Sequence, residues 1–434
     1  MDKMADVLGR AGAWCGQNKY LSAIKNAFQN FMPLTIAGAI GVLWCNVLVN
    51  DQTGLGLFFK PIMALDFLNP AFQAVNFCTI SCITVGITLG IAQEIGVWNM
   101  GAERAGYIPG LVGLAAWLSV TNTSHMVDGA KEAFTGIAGN ELGATGLFTG
   151  MIIGVLSVEL FCFFEKQDAL KIKMPEQVPP GVARAFEVLV PATITLIITA
   201  CIGSACYNLT GLYLNDVIKN GIQGPLGAVG ATIPGVMIIY LVIMLFWLVG
   251  IHGNNMLSAV KEALFTPLAL ENVEAFNKGE TPKNIINMYF LQMCGEFGGS
   301  GVTIGLVIAI MIFGKREDNK AIATLSLVPG LFNINETVTF GIPMVLNPIL
   351  GIPFVFACLV TILVGYVLTV IGFCPVACLT VPWTCPPIVF GFLACGANVM
   401  GAVTQAILIV VSTVIYTPFL IAYEKYQNKQ AAEA

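Results

Sequence analysis

From Thr337 to Tyr423 the chain carries no Lys, Arg, Asp or Glu. A soluble fold places a charge at about every fourth residue, so a stretch of this length cannot lie on a water-facing surface. At about 20 residues per crossing it holds three or more passages through a bilayer, broken at Pro343, Pro348, Pro353, Pro375 and the Pro386–Pro387 pair. The other uncharged stretches, 26–50, 67–93, 188–215 and 220–260, are each long enough to span, and 105–121 and 142–164 are weaker candidates. The fold class expected is therefore an all-α integral membrane protein. Only 10% of the 434 residues are charged and the net charge of −5 is spread out. The basic stripe that nucleic-acid binding needs is absent.

Lysine and arginine gather at 3–25, 166–184, 315–320 and 425–429. The positive-inside rule puts all four groups, and so both termini, on the cytoplasmic face of the membrane. Four crossings near 28–49, 74–93, 106–121 and 144–164 satisfy that parity. Residues 1–28 lack the compact apolar core of a cleavable signal. Val7, Leu8, Ala11, Trp14, Leu21 and Ile24 recur there at helical spacing among Lys3, Arg10, Lys19 and Lys25, which predicts a helix on the membrane surface; a soluble cap helix is the other reading. The charged segment 165–185, with Pro175, Pro179 and Pro180, is expected to be a cytoplasmic linker. It separates a transmembrane lobe at 29–164 from a second at 186–423, and 424–434 forms a cytoplasmic tail. The thirteen cysteines show no CxxC pair and no Cys/His spacing for zinc, so neither a metal site nor a cofactor is expected.

Two regions read as embedded in the membrane yet poor as spanning helices. Residues 251–300 mix polar and apolar types and end in GEFGGSG, and residues 326–350 hold three prolines with Asn333, Asn335 and Glu336. Irregular backbone at that depth must be buried in protein or line a wet cavity, which predicts re-entrant hairpins around a polar site. Between Lys320 and Glu424 the sole formal charge is Glu336, and His252 stands alone between Lys219 and Lys261 as a group titrating near neutrality. Ionisable groups at membrane depth usually mark function; the alternatives are a Glu336 at the interface or protonated, and a packed His252. Asn254 and Asn255 adjoin His252, as Asn333 and Asn335 adjoin Glu336. Amides carry the mixed donors and acceptors that sugar hydroxyls require. Trp247 and Trp383 offer flat faces for a pyranose ring or, alternatively, belong to the interfacial belt. The expected site residues are thus Trp247, His252, Asn254, Asn255, Asn333, Asn335, Glu336 and Trp383, around a carbohydrate. GGSG at 298–301 serves either an anion or close helix packing. No P-loop, GxSxG elbow or HExxH motif occurs.

Five stretches carry a family resemblance: KIKMPEQVPPGVARAFEVLVP (171–191), GIHGNNM (250–256), GGSGVTIGL (298–306), PGLFNINETVTFGIPMVLNPIL (329–350) and VPWTCPPIVFGFL (381–393). The chain resembles the lactose/cellobiose/N,N'-diacetylchitobiose family of phosphotransferase-system IIC permeases, most densely around NINE. Thr337, Val338 and Cys385 depart from the usual pattern and leave every expected ligand in place. The resemblance implies a homodimer in the bacterial cytoplasmic membrane, with about ten transmembrane helices, an N-terminal dimerising lobe and a C-terminal sugar-binding lobe with two hairpins. It implies import of a β-linked disaccharide, cellobiose or N,N'-diacetylchitobiose before lactose, carried inward between the lobes by an elevator-like movement. It also implies that a cytoplasmic IIB protein, charged through IIA, phosphorylates the sugar's C6 hydroxyl from a phosphocysteine, with His252 and Glu336 as the catalytic pair. No IIB-like domain is expected in this chain, which makes it the permease component of the phosphotransferase rather than an enzyme by itself. The competing reading is an ion-coupled sugar symporter with Glu336 as proton carrier.

Overall fold

The computed structural model describes residues 10, 13–14, 17–51, 55–125, 134–175, 177–342 and 344–433. Among them six helices are long and apolar enough to cross a bilayer: Lys19–Leu48, Lys60–Met100, Ala144–Glu165, Pro180–Thr210, Gly351–Val370 and Val399–Glu433. Met288–Val302 and Ile304–Phe313, bent by 59°, make a seventh if they form one span, and Ile108–Val120 and Ile233–Leu248 are apolar but shorter. The one pair of strands described, Ser124–His125 with Phe134–Thr135, is antiparallel. Most of the expected surface helix at 1–18 lies outside the described residues. Residues 19–28 run without a break into Lys19–Leu43, because no helix breaker occurs before Pro33.

The chain packs as two compact units. Gln17–Ala37 and Asn76–Ala228 form one, and Gly38–Val75 and Val229–Ala434 belong to the other. By contacts the segment 165–185 therefore lies inside the first of these. Ion pairs hold it there: the buried Glu165 accepts from Arg104 at 2.9 Å and Arg184 at 3.0 Å, and Glu187 is 3.0 Å and 2.9 Å from the same two arginines.

In that first unit the backbone satisfies itself through continuous helices, which pack closely at small residues. A Cβ on Gly150 would stand 2.2 Å from Thr88 Oγ1, one on Gly113 2.3 Å from the Ala92 methyl, and one on Gly96 2.2 Å from the Pro109 ring. Hydroxyls that face apolar surroundings return to their own helix: Ser157 donates to Ile153 O at 2.6 Å and Thr195 to Pro191 O at 2.8 Å.

The second unit combines long helices such as Val399–Glu433 with interrupted ones. Helix Gly351–Val370 is followed by an irregular stretch that resumes as helix only at Val389–Ala394, and Cys374, Ala377, Cys378, Leu379 and Val381 within it are buried. Exposed to hydrocarbon such backbone would be very costly; here buried amides bond to it. Asn272 and Asn287 both donate to Ala377 O at 3.0 Å. Gln405 accepts from Ile388 N at 2.8 Å and Gly391 N at 2.7 Å while donating to Met293 O at 3.1 Å. Asn287 also caps Met288–Gly295 by accepting from Tyr289 N at 2.9 Å and Phe290 N at 3.2 Å.

Candidate functional site

His252 and Glu336 come together in the second unit, each at the start of a short helix. Helix Ile233–Leu248 stops at Val249, the chain turns at Gly250 with φ +79°, and His252 opens the four-residue helix Gly253–Met256. Gly253 is required there, since a Cβ would meet Ile243 O at 2.0 Å. Glu336 begins Glu336–Gly341 after the helix Glu317–Leu331 has ended just beyond Pro329. A backbone bond of 2.8 Å from Leu346 N to Leu248 O joins the two segments. His252 Nε2 lies 4.0 Å from Glu336 Oε1, with the side chains 37% and 48% exposed.

The remaining expected residues divide into two kinds. Asn255 and Trp383 are exposed, Trp383 at 43%. Trp247 is buried and stacks obliquely on the His252 ring at a centroid distance of 4.4 Å, edge-on to Phe354; it forms the floor beneath the histidine. Asn333 and Asn335 have their amides committed to backbone. Asn333, with φ +61°, accepts from Gly298 N at 2.6 Å and donates to Trp383 O and, at 3.2 Å, to Cys385 O. Asn335 donates to Ser300 O at 2.8 Å. Asn254 donates to Ser300 Oγ at 3.0 Å, and its own Oδ1 is buried with no protein partner.

Four residues beside this group stood out less in the sequence. Lys261, buried, pairs with Glu296, which also accepts from the buried Tyr240 hydroxyl at 2.7 Å; both charges act on His252. Ser300 is the fourth. Lys261 and Glu296 bound uncharged stretches in the sequence, where they look like ordinary segment ends, and only the fold brings them together. The chemistry available is a hydrogen-bonding pair of opposite polarity, a bordering aromatic face and amide-held loops. Among the described residues no cluster of three or more His, Cys, Asp or Glu could hold a metal ion.

Residues 25–358 match the family Phosphotransferase system, EIIC. The chain is 33% identical to the oligo-beta-mannoside-specific EIIC component of Bacillus subtilis (strain 168), over 98% of this chain and 94% of that one. It is 29% identical to the cellobiose-specific EIIC component of Lactococcus lactis subsp. lactis (strain IL1403), over 98% of each. Its fold superposes with a TM-score of 0.88 on the transporter ChbC, the IIC component from the N,N'-diacetylchitobiose-specific phosphotransferase system, at 29% identity and 97% coverage of both chains. With a family match over most of its length and relatives aligned nearly end to end, this chain belongs to the EIIC family, the membrane-spanning sugar permeases of phosphotransferase systems that act with IIB and IIA proteins.

Proposed function

We propose that the chain imports a β-linked disaccharide and presents its C6 hydroxyl, at the His252–Glu336 pair, to a phosphocysteine on a separate IIB protein. The observation that carries this reading is the 4.0 Å separation of Nε2 and Oε1 in two partly open side chains. A hydroxyl oxygen about 2.8 Å from each atom would subtend roughly 90° between them, an angle that a hydroxyl donating to one side and accepting from the other tolerates.

The hydrogen bonding supports a division of roles. His252 Nδ1 accepts from Asn255 N at 3.3 Å, so in the neutral imidazole the proton sits on Nε2. Nε2–H then donates to the sugar oxygen, and the hydroxyl proton points to the Glu336 carboxylate. Of the two roles open to His252, taking the proton or orienting the hydroxyl, this favours orienting. Glu336 takes the proton as the oxygen attacks phosphorus; the S–P bond breaks and the cysteine leaves as thiolate on IIB. Positioning supplies much of such a transfer, and a base adds about 10²–10⁴-fold. Lys261 and Glu296 form an ion pair beside the site, so their opposite charges partly offset each other at His252.

The substrate class rests on the relatives, named for oligo-beta-mannosides, cellobiose and N,N'-diacetylchitobiose; the three sugars share a β linkage. Trp383 provides a face for one ring, while the exposed Asn255 supplies polar partners. The hairpins near 251–300 and 326–350, ten crossings, cytoplasmic termini and a homodimer belong to the same reading, and the helix breaks at Thr303 and Phe332 support the hairpins.

The test is uptake of isotope-labelled cellobiose and N,N'-diacetylchitobiose into vesicles, with and without the phosphorylated partner IIB. Sugar phosphate that accumulates only with IIB is the expected result. Free sugar accumulating on a proton gradient without IIB would sink the proposal.

A further inference from the structure

His252 and Glu336 sit on segments 84 residues apart in the chain, each following a helix break, yet the proposed chemistry needs their separation held to a few tenths of an ångström. What holds it is the strip Gly298–Ser300. Asn254, two residues beyond His252, donates to Ser300 Oγ at 3.0 Å, and Asn335, immediately before Glu336, donates to Ser300 O at 2.8 Å. A single residue thus bonds both segments, one through its side chain and one through its backbone. Ser300 is only 6% exposed, too enclosed to meet a sugar first.

The glycines before it make this approach possible. Gly299 has φ +89°, and a Cβ there would stand 2.5 Å from the Asn335 amide carbon. Gly298 has φ +67° and gives its N–H to Asn333 at 2.6 Å. Behind the strip, Tyr416 donates to Gly301 O at 2.8 Å and Thr303 to Gly298 O at 2.7 Å, so it is anchored from the far side as well. The Gly298 N–H is held by Asn333 and the Gly299 N–H by Glu296 O at 3.0 Å, which argues for a scaffold over an anion site.

We infer that Ser300 is a positioning residue: its hydroxyl orients Asn254, and so the His252 segment, against the Glu336 segment that its carbonyl holds. This rests on the His252–Glu336 reading above.

The experiment is a double-mutant cycle on the full chain in vesicles, with phosphorylated IIB and labelled N,N'-diacetylchitobiose or cellobiose, whichever the wild type phosphorylates. Ser300→Ala is expected to lower sugar-phosphate formation at saturating sugar about 10-fold, with Ser300→Cys intermediate. Asn254→Ala lowers it further, and the double variant should fall no lower than Asn254→Ala, because the hydroxyl acts only through that amide. Multiplying effects would overturn the inference, as would a Ser300→Ala variant as fast as wild type. Quantity in the membrane and the melting temperature in detergent identify a variant that has failed to fold, and Ser300→Cys then completes the cycle in its place. Wild type that forms no sugar phosphate with IIB overturns the site reading and this inference together, whereas additivity in an active wild type removes the role of Ser300 alone.

Discussion

The unit containing Asn76–Ala228 and the unit containing Val229–Ala434 meet the same requirement, that no backbone group be left unbonded in an apolar medium, in different ways. The first does so mainly with long helices such as Ile83–Met100, Ala144–Glu165 and Leu189–Thr210, fitted together at glycine seams such as Gly150 on Thr88. The second keeps Gly351–Val370 and Val399–Glu433 long but interrupts other helices, and satisfies the loose ends with amides from the buried Asn272, Asn287, Asn335 and Gln405 and the half-buried Asn333. The difference teaches where chemistry can be placed. A whole helix presents side chains at fixed intervals along one axis, whereas a break lets two distant segments bring His252 and Glu336 within 4.0 Å.

The comparison is sharpened most by His252→Ala. It should lower sugar-phosphate formation by about 10²–10³-fold, roughly 3–4 kcal/mol of barrier, with little change in melting temperature, since the imidazole is partly exposed. A loss of fold in place of activity would make His252 a structural residue. Next comes Gln405→Leu, which strands two N–H groups and one carbonyl and should destabilise the second unit by about 3 kcal/mol, read from thermal unfolding in detergent. An unchanged midpoint would mean that the amides are not what closes the broken backbone. In the first unit, Gly150→Ala forces a methyl against Thr88 and should cost about 1–3 kcal/mol in the same assay while sparing phosphorylation. Asp318→Asn is expected to do least. The Arg316 guanidinium, 2.6 Å away, holds the Asp318 carboxyl below the usual carboxylate range, with burial opposing. Its contribution is present above the ordinary aspartate pKa and fades as pH falls through the lowered one. The pair is exposed, and salt screens it, so titration from pH 7 to 5 should leave the variant and wild type with indistinguishable midpoints.

The same division explains how much the sequence discloses. Where a stretch is apolar and uninterrupted, length alone locates the helix: 188–215 contains Leu189–Thr210, and 144–164 nearly coincides with Ala144–Glu165. In 337–423 only Gly351–Val370 and the first part of Val399–Glu433 follow from length. The course of 371–388 depends on Asn272, Asn287 and Gln405, which lie far off in the chain, and local composition carries no trace of that. His252 and Glu336 are legible because a titratable group is costly to keep in an apolar stretch unless it serves a site. The amides around them are legible as polar but not as to partner: Asn333 and Asn335 bond backbone, and Trp247, five residues before His252, lies under the ring because the chain turns at Gly250.

The most direct test of the account is Glu336→Gln in vesicles with phosphorylated IIB, comparing equilibrium sugar binding with sugar-phosphate formation. Glutamine keeps the shape and can still hold the hydroxyl, but it cannot take the proton. Binding should stay within a few-fold of wild type while product formation falls by about 10²–10⁴-fold. Product formed at the wild-type rate, or binding and product lost together, would contradict the account.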